Sequence, residues 1–274
     1  MRKTCYRSRD DVQNDWKYLK SLYLVNAQYI IPRPRLSMIM PPDKSIRVLS
    51  IDTSSSRGSV ALMRAAELVA ELRLLSQETH SGRLLNSVEF LLSLSGWYLR
   101  DVQLIAVGIG PGSFTGIRIG VSTALGLAQT LSCPMAAVSG LEALAHESAF
   151  VKGRIGIVMD AQRSQVYYAE YLAGATGRLR LVQKPGVWFP RDLDRALGRR
   201  RLYVTGDGAE RYWKELGMSE SGLRRFLKKD LFLAPGIARL ALRRKRSWRR
   251  GEFLTAEPLY IRPPDALRKS GRTR

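Results

Sequence analysis

The sequence predicts an α/β protein of two related units, each opening with a meander of antiparallel strands. Three observations carry that expectation. Short apolar runs of strand character alternate with longer stretches of helical spacing. A strand ending in aspartate, a polar turn and a returning strand occur twice, once around Asp52 and once around Asp160. A glycine turn then feeds a long helix at residues 110–129, the most distinctive stretch of the chain.

Taken in order, residues 46–51 form the first strand, ending in the polar turn 52–58. Residues 59–63 and 68–74 complete a three-stranded meander whose first hairpin is rich in Ser and Thr. Residues 80–95 form an amphipathic helix, because Leu84, Leu85, Val88, Leu91 and Leu92 recur at helical spacing and Gly96 can end it. Strand 104–109 runs into Gly110-Pro111-Gly112, a tight turn, and Ser113 or Thr115 caps the helix 115–131. In that helix Gly116, Gly120, Ala124 and Ala128 recur every four residues, leaving one face nearly bare so that another backbone can approach. A strand follows at 134–138, and Ser139-Gly-Leu-Glu142 reads as a capping box opening a helix to about residue 149. The second unit reads as strands 154–159, 165–172 and 179–182, helix 192–197 and strand 202–205, which ends in Gly206-Asp207-Gly208. Short, basic helices follow, with the densest charge at 239–250. By this reading the second unit lacks the long helix and the glycine-turn helix of the first.

The 274 residues thus divide into a leader, 1–45, an N-terminal unit, 46–150, a basic C-terminal unit, 151–266, and a basic tail, 267–274. The leader reads as a disordered basic arm or as the product of a start site placed too early, since Met38 and Met40 stand just before the first strand. Its apolar run is too broken for a signal core and too short to span a membrane. Of the net charge of +21, residues 46–150 contribute 7 basic against 8 acidic side chains and residues 151–274 contribute 29 against 12. So basic a half suits a phosphate-rich partner such as RNA, or else reflects composition and solvated faces. Cys5 and Cys133 have no metal-ligand spacing, which argues against a disulfide framework and a zinc site and for a reducing, cytoplasmic setting.

The chemistry legible in the residues is a nucleotide scaffold without a catalytic set. Asp52 and Asp160 each end the first strand of a unit, where a carboxylate can orient a metal-bound water or simply cap a turn. Thr53, Ser54 and Ser55 can cradle phosphate through hydroxyls and amides, as can Gly110, Gly112 and Ser113 at a helix N-terminus. The glycine turn is neither a Walker A loop, which needs GK[ST], nor the G-x-G-x-x-G dinucleotide fingerprint. His80 and His146 stand alone, without a second histidine at helical spacing, and no Ser, Cys or Lys sits in a nucleophile motif.

Several strings together resemble the TsaB (YeaZ) family. They are Ile51-Asp-Thr-Ser-Ser-Ser with Gly58-Ser-Val-Ala-Leu, His80-Ser-x-x-Leu-Leu, Ala106-Val-Gly-x-Gly-Pro-Gly-Ser-Phe-Thr-Gly-Ile-Arg-Ile-Gly120 and Val138-Ser-x-Leu-Glu-Ala-Leu144. Met159-Asp-Ala-x-Arg163 with Val166-Tyr-Tyr, and Pro258-Leu-Tyr-Ile-Arg262, extend the likeness over roughly residues 46–266. The resemblance implies an actin-like ATPase fold of two subdomains, the second degenerate. It implies a non-catalytic subunit in tRNA threonylcarbamoyladenosine modification, a glycoprotease-like domain that pairs with the transferase TsaD and is joined by the ATPase TsaE. It implies no cofactor of its own, with ATP, ADP or threonylcarbamoyl-adenylate entering only within the complex, and tRNA met through the complex. It also implies that helices 80–95 and 115–131 form the surface for TsaD or for a second copy. The interface candidates are therefore His80, Leu84, Leu85, Val88, Leu91, Leu92, Phe114, Gly116, Gly120 and Ala124. The opposing expectation is that both stripes pack inward on their own sheet. Gly82 stands where the family often has Glu, and residues 1–45 have no family counterpart.

Three other readings compete. An active kinase or ATPase of the same fold would need Asp52 and its hydroxyl turn. A glycoprotease would need the missing metal pair or nucleophile. A free-standing RNA-binding module would use the basic half, with strong salt dependence.

Overall fold

The structure, a computed structural model, describes residues 45–75, 81–174, 177–219, 222–244, 248–249 and 256–261. His80, Cys5, Arg262, residues 1–44 of the leader and the tail 267–274 lie outside the described residues.

Strands β1 (Arg47–Asp52), β2 (Arg57–Arg64), β3 (Glu67–Leu75), β4 (Leu104–Gly108) and β5 (Met135–Val138) form one sheet in the order β3-β2-β1-β4-β5. Strands β6 (Gly153–Asp160), β7 (Val166–Ala173), β8 (Leu179–Trp188), β9 (Leu202–Thr205) and β10 (Arg224–Phe226) form a second, in the order β8-β7-β6-β9-β10. The two orders are the same. In each sheet three strands run antiparallel and two more run parallel to the first. This is the doubled actin-like arrangement that the resemblance implies. The central strands β1 and β4 are buried along nearly their whole length, and β4 reads as a continuous apolar run ending in Gly108.

The helices complete the repetition. The first half carries α1 (Ser81–Leu94), α2 (Phe114–Leu131) and α3 (Gly140–Glu147), and the second α4 (Pro190–Leu197), α5 (Asp207–Arg211) and α6 (Ala234–Arg243). The expectation that the second half lacks two helices is therefore corrected. Both are present, shortened to 8 and 5 residues against 14 and 18 in the first half: the first is the helix read at 192–197, and the second is a five-residue helix too short for a periodic pattern to register. Strand β10 and the burial of α6 were likewise not legible, because their apolar residues are hidden among arginines. A second correction concerns Ser139. It stands at the N-cap of α3, but its side chain makes no capping bond, and its Oγ is buried without a partner among the described residues.

Three apolar clusters arrange these elements in layers. Leu84, Val88 and Leu91 of α1 and Ile117, Val121 and Ala124 of α2 cover one face of the first sheet. Leu193 and Leu197 of α4 cover the outer face of the second. Between the sheets lies the third cluster, built on Leu141, Leu144, Ile237, Ala238 and Ala241 of α3 and α6. These two helices are exchanged: α6 packs on β1, β2 and β4 of the first sheet, α3 packs on β6 of the second, and they touch each other. Each half thus completes the core of the other, and residues from Ser45 onward form one unit.

Candidate functional site

The end of β1 and the glycine turn are built against each other. Asp52 is 1% exposed and accepts a hydrogen bond from the Ser54 amide at 3.2 Å, closing the local turn. Ser113 donates its amide to the Ser54 carbonyl at 2.7 Å. Its hydroxyl accepts from the Gly116 amide at 3.2 Å, so Ser113, not Thr115, caps α2. Thr53 Oγ1 donates to the Gly116 carbonyl at 2.7 Å. Gly140 donates its amide to the Gly110 carbonyl at 2.8 Å, tying the turn to α3 as well.

The glycines explain the fit. A Cβ at Gly112 would overlap the Ser54 carbonyl, one at Gly116 the Thr53 carbonyl and one at Gly120 the Thr53 hydroxyl. Ala124 and Ala128 continue the same edge and are fully buried. The backbone that comes close to the bare face of α2 is therefore the chain's own β1 hairpin. Gly116, Gly120 and Ala124 are corrected as interface candidates, since a surface already filled by β1 cannot also face a partner. Leu84 and Leu91 of α1 are corrected for the same reason, being 1% exposed in the first-sheet core, whereas Val88 and Leu92, at 3% and 7%, pack on that core and also line the groove beside α1.

Of the cleft candidates, Asp52, Thr53, Ser54, Gly110, Gly112 and Ser113 come together; the Thr53 and Ser113 hydroxyls and the Ser54 backbone bond within the group, while the Ser54 hydroxyl is buried with no hydrogen-bond partner among the described residues. Ser55 accepts from the Arg57 amide at 3.1 Å. Asp160 joins a separate group at the matching place in the second half. Its carboxylate pairs with Arg211 at 2.6 Å, and its amide donates to Asp207 at 2.9 Å. Asp207 also accepts from the Gly208 amide at 2.9 Å. Burial pushes the Asp207 carboxyl above its ordinary range, and the hydrogen bond from the Asp160 amide opposes that rise. Gly208 abuts the end of β6 as the glycines of α2 abut the end of β1, so the duplication extends to its close contacts. Arg57 in the first hairpin lies 3.9 Å from Glu210 of α5 and links the two groups. Sequence reasoning noted the Gly206-Asp207-Gly208 string but gave Asp207 no role, because a five-residue helix leaves no periodic signal. Among the described residues no cluster of three metal-ligating side chains occurs, and His146 sits half-buried with its imidazole held below the ordinary range by burial.

Phe114 is occupied locally. Its ring stacks on Tyr260 at 4.9 Å and lies under the Arg118 guanidinium at 3.8 Å, while Arg118 bonds the Tyr260 hydroxyl at 3.2 Å. Leu259 donates its amide to the Ile109 carbonyl at 2.8 Å, so residues 258–261 return to the glycine turn.

What the first half does leave open is apolar. Leu85 is 56% exposed, Phe90 58%, Leu94 69% and Tyr98 55%. Leu85 and Tyr98, with Val88, Leu92, Trp97 and Leu127, line a groove of about 620 Å³ between α1, the turn after it and α2. Phe90 and Leu94 project from the other flank of α1, one helical turn apart. Only Leu85 of these four stood among the sequence candidates. The signal for the others was an excess of apolar residues beyond the one stripe that α1 needs for its core.

Comparison with known proteins gives the following. A family model described as TsaD, tRNA N6-adenosine threonylcarbamoyltransferase, matches residues 74–184. The tRNA threonylcarbamoyladenosine biosynthesis protein TsaB of Escherichia coli is 33% identical over 234 residues, covering 82% of this chain and 98% of that one. The protein of the same name from Bacillus subtilis is 40% identical over 124 residues, 45% of this chain and 54% of that one. The solved structure of YeaZ from Pseudomonas aeruginosa superposes with a TM-score of 0.61 at 28% identity, covering 73% of this chain and 92% of that one.

Proposed function

The chain belongs to the TsaB family, and on that premise we propose that it is a non-catalytic subunit in tRNA threonylcarbamoyladenosine biosynthesis, docking onto a TsaD-like transferase through α1 and the groove beside α2. The observation that carries this reading is the contrast between two places in the first half. At the end of β1 the Thr53 and Ser113 hydroxyls and the Ser54 carbonyl, which could have met a phosphate site, bond the chain's own turn and helix. At α1, Leu85 and Tyr98 stand exposed beside an apolar groove, and Phe90 and Leu94 stand exposed on the helix's other flank. Large apolar side chains clustered on a surface mark a place where another protein removes them from water.

The match of residues 74–184 to the TsaD model supports a transferase as the partner. Two chains of related sequence can pair by equivalent faces, in the manner of a two-fold dimer. Where the transferase is absent, the same face pairs two copies of this chain. The chain brings no nucleotide of its own; ATP, ADP or threonylcarbamoyl-adenylate, a TsaE-like ATPase and tRNA enter with the assembled complex.

The test is co-purification with a TsaD-like transferase using Leu85→Asp and Phe90→Asp separately. Both positions are exposed, so each change should alter folding stability by no more than about 0.5 kcal/mol. Each should abolish or sharply weaken pairing. Pairing that survives both charges rules out this face as the docking surface.

A further inference from the structure

A second concavity, of about 510 Å³, lies in the basic half, where the starts of β6, β9 and β10 run side by side. Lys152 and Arg154 line it from β6, Arg201 and Tyr203 from β9, and Arg225 from β10. Among the described residues no acidic side chain lines it. Several other arginines of this half are matched, Arg211 with Asp160, Arg239 with Glu147 and Arg244 with Glu142. Here Lys152, Arg201 and Arg225 are exposed and have no carboxylate partner among the described residues. Arg154 is anchored on Glu170, which is fully buried. That carboxylate also receives the Tyr168 hydroxyl at 2.8 Å and faces Arg200 at 3.5 Å, so it does not neutralise the pocket. The Arg225 guanidinium lies 5.7 Å from the Tyr203 ring, which places an aromatic face among the cations.

We propose that this pocket is a binding site for RNA, with the phosphodiester backbone held by Lys152, Arg154, Arg201 and Arg225 and a nucleotide against Tyr203. Like charges converging on a concavity raise the local concentration of an anion. An aromatic ring beside them suits a base, since every base offers a face for stacking. The surrounding half carries 29 basic against 12 acidic residues, so the positive field extends past the pocket, as a chain-like polyanion requires. The inference deepens the proposed role and rests on it only for the choice of tRNA as the RNA.

The experiment titrates the full chain with tRNA over a range of salt. The variant Lys152→Ala/Arg201→Ala/Arg225→Ala removes three exposed cations and leaves Arg154 on its buried partner. The control Arg178→Ala/Arg180→Ala/Lys184→Ala removes three exposed cations around β8. The pocket variant should bind at least about tenfold more weakly near 0.1 M salt and lower the salt slope by about 2, from about 0.7 per lost single-strand phosphate contact. The control should stay within about twofold. No tRNA binding by the parent chain, or equal losses in the two variants, overturns the proposal. Co-purification of the pocket variant with the transferase reads the docking face separately, so failure of one reading is not mistaken for failure of the other.

Discussion

Gly120 has no room for a methyl group. Its missing side chain lets α2 lie on Thr53, and Gly116 does the same one turn earlier. Gly120→Leu should therefore destabilise the fold by about 3 kcal/mol or more, as overpacking against backbone does. Gly126, in the same helix, is exposed with no atom within 4 Å of an added Cβ. Gly126→Ala should stabilise by about 0.5–1 kcal/mol, the ordinary helix preference. Chemical denaturation of the two variants reads both effects. A second residue-scale expectation concerns Asp207, whose carboxyl burial holds above its ordinary range while the Asp160 and Gly208 amides bond it. The folded state then binds this proton more tightly than the unfolded state, so the group's contribution falls as pH rises from the ordinary value through the raised one. The penalty grows as pH rises above the ordinary carboxyl range. Asp207→Asn keeps the acceptor oxygen and removes the charge. It should be more stable than the parent at pH 7, with the gain vanishing below about pH 4. A variant less stable at pH 7 would contradict this account of the site.

At the scale of elements, helix α2 shows how far a sequence reaches. The four-residue recurrence of Gly116, Gly120, Ala124 and Ala128 marks a close approach. It does not say which backbone approaches, because spacing along one helix carries no information about its neighbour. The approaching backbone is β1, joined through Thr53 and Ser54. The stripe on α1 is legible as core for the usual reason of period. Its exposed apolar residues are legible only as what that stripe leaves over. In the second half the apolar signal is diluted by charge. Arg224 is a case: it is buried, pairs with Asp194 and bonds the carbonyls of Leu216, Asp194 and Gly198, yet reads as one more surface arginine. Helix α6 is another. Ile237, Ala238 and Ala241 are fully buried between the sheets although the segment ends in a run of arginines. Ile237→Ala should cost about 2–5 kcal/mol. Because α6 packs on the first sheet while belonging to the second half, hydrogen exchange should show β4 and β9 losing protection together. Loss confined to one sheet would contradict the exchanged packing.

At the scale of the whole molecule, two sheets of identical strand order are locked by exchanged helices, and the matching strand ends carry Asp52 and Asp160. The order of the first half, and the repeat of its opening meander, follow from strand and turn chemistry that the sequence displays. The completeness of the second copy does not, because α5 is too short to show a period and the apolar face of α6 is masked by arginines. Charge divides along the same line, near balance at residues 46–150 and strongly positive beyond. Among the described residues no helix is long and apolar enough to cross a membrane. The halves thus separate two surfaces, an apolar one at α1 and a basic one at β6, β9 and β10. The central claim is that the chain acts in threonylcarbamoyl transfer only as a partner. The most direct measurement supplies threonylcarbamoyl-adenylate and tRNA to the chain alone, to a TsaD-like transferase alone and to the two together, and quantifies modified adenosine. The account predicts no product from the chain alone and more product from the pair than from the transferase by itself. Modified tRNA made by the chain alone would contradict it.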